Sequence, residues 1–122
     1  MWQNNNHSDS VHAEVYLEKI VIMEHRLIQK LSSYFASQPI EKAWLFGSYS
    51  RSEQNKKSDL DILVSFSKDS KINLFKYIHI VNDLSELTGK KIDLVEDGQL
   101  KPFARESVEH DKILIYERKT TR

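Results

Sequence analysis

The chain has 122 residues, 39% hydrophobic and 30% charged, enough for one globular domain with a real core and little room for a second lobe. Eighteen Lys and Arg balance eighteen Asp and Glu, which argues against a strongly basic nucleic-acid-binding module, though not against a local basic patch. With no cysteine, disulfides, thiolate metal sites and cysteine nucleophiles are excluded.

Met1 to Ser10 is polar, rich in Asn and Ser, lacks a signal-peptide core, and reads as a disordered tail. From about Val11 to Ser37 the pattern is helical. Leu17, Ile20, Val21, Ile28, Leu31 and Phe35 form one stripe, and Pro39 closes the helix. Val11, Val15 and Ile22 fall on its opposite side, a strip that suits either a contact to another chain, homo- or hetero-oligomeric, or local packing under a tail. Glu41 to Ser48 reads as a first strand with Trp44, Leu45 and Phe46 buried. Gly47 breaks it, and Tyr49 to Lys57 suits a short helix and loop.

Asp59 to Phe66 is a second strand. Ile72 to Thr88 is a long helix, expected to bury Leu74, Tyr77, Ile78, Val81 and Leu84 and to end at Gly89. Lys91 to Glu96 is a third strand, followed by a turn at Asp97-Gly98. Pro102 opens a short helix to about His110. Lys112 to Glu117 is a fourth strand. The alternation indicates an α/β fold, a small mixed β-sheet packed against helices. One domain over 11–118 is expected, with a charged tail over 119–122. No apolar run approaches the roughly 20 residues of a membrane span, and a cytoplasmic protein is expected.

Chemistry concentrates at three places. Gly47, ending a buried strand and followed by Ser48, lets backbone N–H groups approach an anion, or simply makes a tight turn. Asp59 and Asp61 stand two apart on a strand and so share a face. They either sit on its solvated end or carry a divalent cation that relieves their repulsion, Mg²⁺ above all. Asp93 interrupts the apolar strand Lys91-Ile92-Asp93-Leu94-Val95 in the same way. If its strand neighbours the second, three carboxylates converge. Around one or two Mg²⁺ ions they equip a site for phosphoryl or nucleotidyl transfer, with Asp93 the candidate to orient or deprotonate an acceptor hydroxyl. Lys56 and Lys57 read as a solvated loop pair, Tyr49 as a loop or core-edge residue, and the five histidines show no ligand spacing.

Gly47-Ser48, ten intervening residues and Asp59-Leu60-Asp61 resemble the G-S-x10-D-x-D signature of the DNA polymerase β-like nucleotidyltransferase superfamily. The resemblance covers roughly Glu41 to Tyr116 and includes the third acid, Asp93. Within the superfamily the short form is the MNT-type minimal nucleotidyltransferase, the antitoxin partner of a HEPN-domain toxin. The resemblance implies that Gly47 and Ser48 hold the β- and γ-phosphates of ATP. Asp59 and Asp61 would bind both of two Mg²⁺ ions, and Asp93 would complete the second site. Arg51 matches a basic position facing phosphate, while Ser52 stands where relatives commonly carry glycine. The implied activity is transfer of AMP from ATP to a tyrosine of the toxin. Occlusion of the toxin without catalysis, and the catalytic subunit of a split small-molecule nucleotidyltransferase, are the alternatives. No appended helical lobe is present to hold an acceptor, so the acceptor surface is expected from a second chain.

Overall fold

The computed structural model describes residues 24–47 and 59–119. The tail 1–10, the strip Val11, Val15 and Ile22, and the segment from Ser48 to Ser58 lie outside the described residues. The chain divides into two compact units, 1–30 and 31–122. In the first unit residues 24–30 are helical; in the second, residues 31–36 are helical and are denoted α1.

The second unit continues with β1 (Ile40–Phe46), β2 (Leu60–Phe66), α2 (Leu74–Thr88), β3 (Ile92–Glu96), a 3-10 turn over Asp97–Gln99, α3 (Pro102–Asp111) and β4 (Ile113–Glu117). The strands form one sheet in the order β3-β2-β1-β4. β1 runs antiparallel to both β2 and β4, whereas β2 and β3 are parallel. A parallel pair needs a crossover of a dozen or more residues, which α2 supplies. The small mixed sheet with helices expected from the sequence is present. No helix among the described residues is long and apolar enough to cross a membrane.

The sheet's core face is set by alternation. Leu60, Ile62 and Val64 of β2 and Ile92 and Leu94 of β3 are buried, together with Ala43 and Leu45 of β1. Leu31, Phe35, Ile80 and Leu84 from the helices join them. Each buried Val, Leu, Ile or Phe side chain contributes about 1.5–3 kcal/mol by leaving water. Trp44 and Phe46, expected inside, are half-buried; the Lys112 ammonium lies 4.5 Å from the Trp44 ring centre.

α2 starts one residue after Asn73, whose side chain accepts from the Lys76 N–H at 2.8 Å, so Ile72 lies outside the helix. It ends at Gly89, which adopts φ 69° and returns its N–H to the Ser85 carbonyl. The buried face differs from the expected one. Leu74 and Ile78 are exposed, as is Phe75, while Ile80 and Leu84 are fully buried and Tyr77 and Val81 half-buried. Apolar residues cover more than half the circumference of this helix, so their spacing alone cannot select the stripe that meets the sheet.

The end of the sheet where β1 begins is tied down by one side chain. Arg118 donates to the carbonyls of Gln38 at 2.5 Å and Ile40 at 3.1 Å, and reaches those of Phe35 and Ala36 at 3.5 Å. A cation at the last carbonyls of α1 also complements the helix dipole. The Arg118 N–H donates to the Glu41 carbonyl at 2.8 Å, continuing the β1–β4 ladder one residue past β4.

Candidate active site

β1 runs into Gly47 at φ 70°, a left-handed conformation that a Cβ disfavours. Space is the second reason for glycine. A Cβ built there would stand 2.2 Å from Asp61 Oδ2 and 3.1 Å from its Cγ. The residue therefore leaves room for the Asp61 carboxylate as well as exposing backbone, a role beyond the anion approach or tight turn expected from the sequence.

Asp61 is the register partner of Phe46 on one side and of Asp93 on the other. Paired residues of adjacent strands lie about 4.8 Å apart and present their side chains to the same face. Asp93 is exposed between buried Ile92 and Leu94, and Asp61 is half-buried between buried Leu60 and Ile62. The expected adjacency of the second and third strands is thus present, and it brings these two carboxylates together. Asp59 precedes β2 and is exposed, next to the point where the Leu60 N–H donates to the Lys91 carbonyl at 2.9 Å. Ser48 and Arg51, with Tyr49, Ser52, Lys56 and Lys57, lie outside the described residues.

β3 is an edge strand, and Tyr77 of α2 covers part of that edge by donating its hydroxyl to the Leu94 carbonyl. Burial first, and the Asp93 charge second, raise the Tyr77 pKa above its ordinary value, so the phenol stays a proton donor to the strand that carries Asp93.

On the other flank of Gly47 lies a cleft of about 320 Å³ lined by Phe46, Gly47, Ala104, Ser107, Val108 and Asp111. Sequence reasoning passed over this feature. Its signal was the spacing of Ala104, Ser107, Val108 and Asp111, which puts all four on one face of α3. The pairing of Ile113 with Leu45 carries the C-terminal end of α3 to the same end of the sheet as Gly47.

Among the described residues no three His, Asp or Glu side chains converge closely enough to hold a metal ion by themselves. The donor set still fits Mg²⁺. This ion is ordinarily held by one or two carboxylates, with substrate phosphates and water completing its shell. Two carboxylates in register on one sheet face, beside a glycine-lined approach, meet that requirement.

A mixed sheet with two register-paired acids at one end, beside a left-handed glycine, is an arrangement suited to nucleotidyl or phosphoryl transfer. The polymerase β nucleotidyltransferase family model matches residues 29–121, and the chain belongs to that family. A Methanocaldococcus jannaschii protein, provisionally named a protein adenylyltransferase, is 36% identical over 98 residues, covering 80% of this chain and 93% of its own length. The protein adenylyltransferase MntA of Thermococcus cleftensis is 33% identical over 76 residues, covering 62% and 75%. Among solved structures, one described as a minimal nucleotidyltransferase superimposes with TM-score 0.61 at 30% identity, covering 75% of this chain and 91% of that one. A chain of a toxin–antitoxin crystal structure with AMP-PNP shares the fold at TM-score 0.65 and 19% identity, covering 75% and 74%.

Proposed function

We propose that this chain transfers AMP from ATP to a hydroxyl, most simply a tyrosine, of a partner HEPN-domain toxin, and so neutralises it as an antitoxin. The observation that carries the proposal is the register pairing of Asp61 with Asp93 beside Gly47. Relatives named protein adenylyltransferases support the reaction, and the likeness to a toxin–antitoxin component with AMP-PNP is consistent with the setting.

In this reading Gly47 and Ser48 hold the β- and γ-phosphates, with Arg51 on phosphate oxygens. Asp59, Asp61 and Asp93 would hold two Mg²⁺ ions, which supply charge neutralisation at the triphosphate and activation of the attacking oxygen. Asp93 orients the acceptor hydroxyl and takes its proton as the oxygen attacks the α-phosphorus. The new P–O bond forms as the bond to the β-phosphate breaks, and pyrophosphate leaves. Docking of the partner brings its hydroxyl into proximity with the α-phosphorus.

The test is incubation of the purified chain with ATP, Mg²⁺ and the HEPN protein encoded beside it, read by intact mass and by the toxin's ribonuclease activity. Mass should rise by whole AMP increments while ribonuclease activity falls in step, and Asp93→Ala should abolish both. A toxin neutralised without a mass change, equally well by Asp61→Ala, would establish occlusion instead.

A further inference from the structure

We infer that Tyr77 is a positioning residue for the reaction: by donating its hydroxyl to the Leu94 carbonyl it ties the open edge of β3 to α2 and fixes where that strand presents Asp93. The inference rests on the proposed nucleotidyl transfer and adds a residue, remote from the reacting atoms, on which that site depends.

The two paired acids are held very differently. Asp61 lies on β2, between β1 and β3, so its backbone is supported from both sides. Asp93 lies on β3, a strand of five residues whose one sheet neighbour among the described residues is β2. Its side chain is exposed, so packing does little to steady the carboxylate, and its position follows the backbone. Along a strand the backbone groups turn alternately to one side and the other. The Leu60 N–H bond to the Lys91 carbonyl, at 2.9 Å, sets the phase. Lys91 and Asp93 turn their carbonyls to β2, and Leu94 turns its own to the open edge. Tyr77 takes that carbonyl, and so fills a ladder position that a further strand would otherwise fill.

The entry to β3 is held by the same helix. Ser85 Oγ donates to the Lys90 carbonyl at 3.0 Å, and the Lys90 N–H donates to Thr88 Oγ1 at 3.2 Å. Thr88 Oγ1 itself donates to the Leu84 carbonyl at 2.8 Å, inside α2. The helix therefore grips the strand three residues before Asp93 and again one residue after it. Burial of Ile92 and Leu94 fixes which face of β3 meets the core, but apolar contact has no direction. The bond from Tyr77 does. Misplacing a reacting group by about 1 Å costs on the order of 100-fold in rate, so losing one of these restraints should cost about tenfold.

Tyr77→Phe removes the hydroxyl and keeps the ring. Turnover of AMP transfer to the HEPN protein encoded beside this chain, at saturating substrates, is compared with Mg²⁺-ATP affinity from titration calorimetry. Wild type, Tyr77→Phe, Asp93→Asn and the double variant are measured. Tyr77→Phe should lower turnover about tenfold and leave ATP affinity within about twofold, because Gly47 and Asp61 do not lie on β3. Added to Asp93→Asn, where no carboxylate remains to be positioned, it should change the residual rate by less than about twofold. Full turnover in Tyr77→Phe overturns the positioning role and leaves the transferase reading standing. So does a slowing that multiplies with that of Asp93→Asn. Should Tyr77→Phe fail to fold, Ser85→Ala loosens β3 from its other end and is held to the same two criteria. Wild type that transfers no AMP overturns the transferase reading, and the positioning role with it.

Discussion

The two ends of the sheet solve opposite problems. Where β1 begins, a cation meets carbonyls: Arg118 reaches four of them between Phe35 and Ile40, and Lys42 and Glu117 pair across β1 and β4 at 3.3 Å. Where β1 ends, acids accumulate instead. Asp61 and Asp93 stand in register, and Asp111 lies where α3 hands over to β4. The first arrangement closes a chain reversal. The second places like charges side by side, an arrangement that a bound cation would favour. Variants at the two ends should therefore separate stability from chemistry.

The largest effect is expected from the acids. Asp93→Asn and Asp61→Asn should lower AMP transfer by about 10²–10⁴-fold, the range for loss of acid–base and metal-assisted steps. Asp93→Asn removes a charge from an exposed position beside another acid, so its urea midpoint should equal or exceed that of wild type. A variant both inactive and markedly less stable would break the contrast between the ends.

Gly47→Ala comes next, and it touches both quantities. The substitution imposes a left-handed conformation on an L-residue, at about 1–2 kcal/mol, and pushes a methyl group into the Asp61 carboxylate. Displacing a catalytic group by about 1 Å costs on the order of 100-fold in rate. Turnover should fall by about that much, with a stability loss of the size given. A full-speed Gly47→Ala enzyme would show that Asp61 can move without consequence.

Arg118→Ala tests the opposite end. Loss of charge-assisted hydrogen bonds to carbonyls should cost about 1–3 kcal/mol in urea unfolding. The turnover of the folded fraction should stay within about twofold, because the side chain acts at the far end of the sheet. A rate loss matching that of the acid variants would mean that the two ends are coupled.

This division also marks what the sequence revealed. The strands and the helix ends at Gly89 and Pro102 were legible because strand alternation, glycine's left-handed freedom and proline's missing N–H act locally. The pairing of Asp61 with Asp93 followed from two strands and one assumption of adjacency. The face of α2 was not legible, since its apolar residues wrap around it and the sheet alone decides which are covered. Arg118 and Asp111 were invisible for a different reason. Each lies beside elements brought close by topology, and Arg118 stands 78 positions along the chain from the Ile40 carbonyl it holds.

The smallest expected effect belongs to Tyr34, which lies in the helical layer and serves as a control for both ends. Its hydroxyl donates to Asp83 Oδ2 at 2.6 Å, and His79 Nε2 lies 3.2 Å from the same oxygen. Burial first, then the hydrogen bond and the charge of Asp83, raise the Tyr34 pKa above its ordinary value of 10.0. A raised folded-state pKa means that the folded chain holds this proton more tightly than the unfolded chain does. The resulting stability is fully present below pH 10 and is lost as pH rises toward the folded value. Wild type should therefore lose stability on going from pH 9 to pH 11, and Tyr34→Phe, though less stable at pH 9, should lose less over the same interval. Paired urea unfolding curves at the two pH values measure the difference. Asp93→Asn should leave the Tyr34 part of the alkaline slope unchanged and lessen the part that comes from Tyr77, whose pKa the Asp93 charge helps to raise. Parallel curves for wild type and Tyr34→Phe would show that the phenol's proton is held no more tightly in the folded chain than in the unfolded one.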